Sequence, residues 1–107
     1  MKYKLNGIDR LIIPKLFAEK GTMLQQTTVK EVNEKLLIKS DEFEEYGLVE
    51  DKENETLSWN KDKIKIEKEF DLSKVHIQLL KESVDKKDKD GEINQQILET
   101  CQKIKKM

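Results

Sequence analysis

The chain is poor in the residues that most enzymes rely on. It has one histidine, one cysteine and four glycines in 107 residues. One cysteine excludes an internal disulfide and a cysteine metal cluster. There is no glycine-rich phosphate loop, no GxSxG and no HExxH. Aromatics are 6% of residues, and proline occurs once. Arginine also occurs once, against twenty lysines, a bias expected where A-rich lysine codons are abundant. No stretch reaches the ~18 apolar residues that a membrane span needs. The opening MKYKLNGIDRLIIPKL breaks its apolar run at Asp9, Arg10 and Pro14, so no signal peptide is expected. These absences predict a soluble single domain over residues 1–107 in a reducing compartment, with no catalytic, cofactor or metal residues.

What the chain has in abundance is charge, at 40% of residues with a net charge of −1. Near-neutrality gives no global attraction to nucleic acid or anionic lipid. The balance conceals segregation. Residues 41–55 hold eight acids against Lys52 alone, a net charge of −7, while Lys103, Lys105 and Lys106 gather at the far end.

Periodicity supplies the elements. Tyr3 and Leu5 alternate within Lys2–Leu5, as in a short strand. Ile8, Leu11, Ile12 and Leu16 follow helical spacing, with Pro14 expected to kink or break the run and Gly21 to stop it. Thr28-Val29-Lys30-Glu31 fits a capping box, which predicts a second helix reaching about Ile38 on the stripe Val29, Val32 and Leu36. Ser40 is a good N-cap for a short helix over Asp41–Tyr46, ended by Gly47. Thr56 to Leu72 then shows the clearest two-residue alternation. Leu57 and Trp59 lie on one face of a first arm, and Ile64, Ile66, Phe70 and Leu72 share a parity in a second. Asn60, Lys61 and Asp62 stand between the arms as a turn. This pattern predicts a β-hairpin with Trp59 pointing into the core; the competing reading is an exposed partner anchor. Ser73 caps a fourth helix carrying Val75, Ile77, Leu79, Leu80 and Val84. Asp85 to Gly91 is a polar connector, and Ile93, Ile97, Cys101 and Ile104 stripe a last helix that starts at Glu92. That stripe is available to the chain's own core or to a second copy. The expected fold is α+β and predominantly helical: three N-terminal helices, one antiparallel β-hairpin and two C-terminal helices.

Several constellations invite a function. Thr28 to Leu48 places a capped helix, a turn and a second helix before a hairpin, the order of a winged helix. However, the helix-turn-helix small residue is Asn33 here, and the turn glycine is Leu37. The second helix displays Asp41, Glu42, Glu44 and Glu45, which would repel a row of phosphates. Lys61, Lys63 and Lys65 on the expected wing would have to compensate. Asp88, Asp90 and Gly91 look like the middle of an EF-hand loop, but Lys86 and Ile97 occupy its first and last ligand positions, so a solvated turn is expected. His76 has no adjoining catalytic motif, and Cys101 lies in an apolar stripe.

Most of the chain, as an order of elements, resembles a group of small bacteriophage and prophage proteins of unknown function. The resemblance is carried by RLIIPKLFAEKG, TVKEVNEKL, SDEFEEYGL and LSWN. It implies a phage or prophage setting in the cytoplasm of a bacterial host, and it transfers no functional residue. The expected function is a non-enzymatic accessory or protein–protein interaction role, with Asp41, Glu42, Glu44 and Glu45 as the partner-binding residues and a basic protein as the partner. The alternative is a winged-helix-like nucleic-acid-binding regulator.

Overall fold

In the computed structural model, which describes residues 1–107, the first helix fixes the plan of the molecule. Strand β1 (Lys2–Leu5) leads into α1 (Gly7–Leu16). Asn6 caps α1, accepting from the Asp9 amide at 2.9 Å while the Asp9 carboxylate accepts from the Asn6 amide at 3.0 Å. Pro14 lies inside α1, which stops two residues later with Phe17 extended, well short of Gly21. The missing proline N–H leaves the last turn weak enough to end there.

Helix α2 (Met23–Leu36) begins earlier than its Thr28 signal suggested. Thr22 and Gln25 form the capping box instead, at 3.1 and 2.9 Å. Thr28 lies inside the helix and donates to the Leu24 carbonyl. Two boxes of similar quality stand six residues apart, and the first in chain order is used. Helix α3 (Ser40–Tyr46) starts at Ser40 rather than being capped by it. It ends as expected at Gly47, whose φ of 64° suits a residue without Cβ.

The hairpin exists, but at a different place. Strand β2 (Val49–Asp51) pairs with β3 (Thr56–Ser58), with Glu50 opposite Leu57. Its turn is organised by Asp51, whose carboxylate accepts from the Glu53 and Asn54 amides and from the Asn54 side chain. Those bonds hold the carboxyl below the usual aspartate range, the Asn54 side chain contributing most. The second arm expected for this hairpin pairs elsewhere. A 3₁₀ turn (Lys63–Lys65) follows Asn60, whose side-chain oxygen accepts from the amides of Asp62 and Lys63. Strand β4 (Lys68–Asp71) then joins β1 antiparallel, with Tyr3 opposite Phe70. The 3₁₀ turn breaks the two-residue period, so Ile64 is buried while Ile66 is exposed. Trp59 is 43% exposed, and the expectation of an inward tryptophan is corrected accordingly. The overall class stands: α+β, mainly helical, with three helices before the hairpin and two after it.

Ser73 caps α4 (Lys74–Lys89), which runs through most of the expected connector before Gly91 turns the chain at φ 68°. Asn94 caps α5 (Gln95–Lys105). The main core joins Leu5, Ile13, Leu36, Leu72, Leu80 and Ile104, all at most 1% exposed, with Val84 and Cys101 beside them. The α5 stripe is therefore spent largely inside the chain. Each such aliphatic side chain contributes about 1.5–3 kcal/mol on burial. A separate small core of Tyr46, Leu48 and Ile64 lies under α3. Gly7 permits α1 to approach it: a Cβ there would stand 2.6 Å from Ile64 Cδ1 and 3.1 Å from the Ile64 carbonyl oxygen.

Candidate interaction site

Successive residues of a helix point about 100° apart, and α1 uses this at Asp9 and Arg10. Both are buried, at 2% and 4% exposure. Asp9 turns toward α5, accepting from the Thr100 hydroxyl at 2.7 Å and Lys103 Nζ at 2.5 Å. Arg10 turns toward the junction of α2 and α3. Its Nε donates to the Leu36 carbonyl at 2.9 Å and Nη2 to the Leu37 carbonyl at 2.6 Å, satisfying the carbonyls that end α2. Nη1 and Nη2 grip Glu42 at 2.5 and 3.0 Å, a two-pronged contact that fixes orientation as well as charge. Nη1 also donates to the Tyr46 hydroxyl at 3.2 Å, and the guanidinium stands 4.9 Å from the Phe70 ring centre. One arginine thus splints the turn between two helices.

The electrostatics follow from these contacts. The Arg10 hydrogen bond, with Lys68 adding to it, pulls the Glu42 carboxyl down to about 2 against the opposing effect of burial. Burial disfavours the Arg10 charge, but hydrogen bonds to Glu42 and Tyr46 outweigh it and hold the guanidinium above its ordinary value. Lys68, on β4, bridges Glu45 at 2.8 Å and Glu42 at 2.9 Å, which raises its own pKa.

The four acids singled out in the sequence therefore divide. Glu42 is turned inward as the counter-ion of Arg10, and Glu45 is engaged by Lys68 at a half-exposed position. Asp41 and Glu44 stay exposed. Glu50, Glu53 and Glu55 continue the exposed acids across the hairpin. Lys61, Lys63 and Lys65 lie beyond the hairpin, on and beside the 3₁₀ turn, so the hairpin itself is acidic. Arg10 was missed as a site residue, though a lone arginine in an otherwise apolar helical run was the available signal.

Two shallow concavities meet at this end of the molecule. One, of about 390 Å³, lies between α1, the end of α2, α3 and the hairpin. Leu11, Pro14, Leu37, Ile38, Phe43 and Leu57 line it. The other, of about 470 Å³, shares Phe43 and Leu57 and is otherwise lined by Glu50, Asp51, Lys52, Glu55 and Thr56. Elsewhere, buried His76 accepts the Ser73 amide at Nδ1 (3.2 Å), which places its neutral-form proton on Nε2, 3.0 Å from Glu31. That arrangement closes the N-terminus of α4 and joins it to α2. Burial raises the Cys101 thiol, making it a poor nucleophile. No helix is long and apolar enough to cross a membrane. Set against models of protein families, curated proteins and solved structures, the chain matches none of them.

Proposed function

We propose that this chain is a non-enzymatic accessory protein of a phage or prophage, at work in the bacterial cytoplasm, that binds another protein through the end formed by α3 and the hairpin. The division of acids on α3 carries this reading. Glu42 and Glu45 face Arg10 and Lys68 and fasten the helix, while Asp41 and Glu44 face solvent. A surface already fastened loses little freedom when a partner docks. Its negative charge suits a partner with a basic face and speeds their encounter.

The test is capture of partners from host extract with wild-type protein and with Asp41→Lys/Glu44→Lys/Glu50→Lys. None of these three side chains takes part in an ion pair, so the variant should keep the fold. A specific partner lost in the variant supports the reading; a partner held equally by both sinks it.

The order of α2, a short turn, α3 and a hairpin supports a second reading, a winged-helix-like regulator that binds nucleic acid. Its lysines would be Lys61, Lys63 and Lys65, and the exposed acids of α3 oppose it. Tight duplex binding in a low-salt filter assay, lost on neutralising those lysines, is the result that would favour it.

A further inference from the structure

We infer that the trough formed by the two adjoining concavities is a docking groove for one extended segment of a protein partner, in which apolar residues are followed by lysine or arginine. This inference rests on the protein-binding reading above and specifies the chemistry of the bound segment. The apolar half is the sharper feature. Leu37 is 63% exposed and Leu57 is 38% exposed, and both line the concavity together with half-buried Phe43 and Ile38. Such side chains converge on a concavity here instead of being scattered over the surface, which is the usual arrangement of an anchor pocket. Asn33 also lines this half, and its Oδ1 is the one buried side-chain polar atom in the protein without a hydrogen-bond partner. An acceptor kept from water and left unpaired is costly, so the wall of this half is less well satisfied than the rest of the interior.

Charge complementarity decides the rest. The trough passes from the apolar half, across Phe43 and Leu57, onto a shelf where Glu50, Asp51 and Glu55 outnumber Lys52. A wholly apolar ligand would leave that shelf unmatched, and an acidic one would be repelled. A segment with apolar anchors followed by basic residues satisfies both halves. The floor is firm, because Arg10, itself part of the lining, fixes the α2–α3 junction through the Leu36 and Leu37 carbonyls.

The experiment titrates the full chain, read by backbone-amide NMR, with three synthetic peptides. The first is an amphipathic peptide of leucine and lysine, the second has glutamate for lysine, and the third has serine for leucine. The leucine–lysine peptide should give saturable shifts at Leu37, Phe43 and Leu57, and the other two should not. Leu37→Asp, at an exposed position whose backbone carbonyl still meets Arg10, should weaken binding roughly tenfold or more, and Leu57→Asp should repeat the effect. Saturation by the leucine–glutamate peptide, or shifts mapping elsewhere, would overturn the inference. Self-association of the protein alone, abolished by Leu37→Asp, would also overturn it by giving the groove to a second copy. The two readings fail separately. A natural partner lost on reversing the acids but retained by Leu37→Asp keeps the acidic-surface reading and removes the groove. A partner lost with Leu37→Asp but indifferent to Asp41 and Glu44 does the opposite.

Discussion

Between α1, α4 and α5 the contacts are mostly aliphatic, with Ile13, Leu80, Val84 and Ile104 packed together and Asp9 pinned to Thr100 and Lys103 at one edge. Between α1, α3 and the 3₁₀ turn only Tyr46, Leu48 and Ile64 form a core, and the connection depends on Arg10, Glu42 and Lys68. Apolar packing is non-directional and loses stability in proportion to the atoms removed. A buried ion pair depends on geometry, and removing one partner strands the other. Helix α3 has seven residues, too few to persist alone. Its structure therefore depends on a small core and on the ion pairs of Arg10 and Lys68, whereas α4 and α5 stand on a broad contact.

This contrast can be broken first at its charged end. Arg10→Ala takes away the main counter-ion of Glu42, leaving it Lys68 alone, and strands two helix-terminal carbonyls and the Tyr46 hydroxyl, so it should cost roughly 3–5 kcal/mol. The loss should be uneven. Hydrogen exchange should show α3 and β2–β3 losing protection well before α4 and α5; equal loss throughout would refute the division. At the apolar end, Leu80→Ala should cost about 2–5 kcal/mol, here lowering protection across all helices together, with the midpoint of urea unfolding as the check. The smallest effect sharpens the comparison through pH. Glu42 titrates at about 2 in the folded chain against an ordinary 4.5. A carboxyl depressed by folding stabilises at every pH above its ordinary value, and that contribution fades as pH falls toward about 2. Exchange protection in α3 should decline across that interval, and Glu42→Gln should flatten the decline. An unchanged profile in the variant would locate the acid sensitivity elsewhere.

How much of this was legible in the sequence depended on whether the deciding interaction was local. Ser73 and Gly47 announced helix ends because a cap acts within a few residues. Thr28 misled because Thr22 and Gln25 make an equivalent box upstream. Alternation over Thr56–Leu72 identified extended chain correctly at both ends, but alternation does not name a strand's partner. Asn60 redirected the chain, and β4 found β1 far away in sequence, with Tyr3 opposite Phe70. The acids of α3 were read as one exposed face because Phe43 and Tyr46 marked the inner side. Glu42 turns in because Arg10, 32 residues earlier, and Lys68, 26 residues later, stand opposite, and nothing near Glu42 in sequence reports that.

The solitary arginine has a practical consequence. A dicarbonyl reagent selective for guanidinium groups has one target in this protein, and an arginine-specific protease has one cleavage site, at Arg10–Leu11. The guanidinium lies against the α2–α3 junction, while the peptide bond lies within α1. The rate of labelling therefore clocks how often the junction opens and the rate of nicking how often α1 itself unravels, with no engineered probe, and a ligand that braces the junction would announce itself by slowing the first clock.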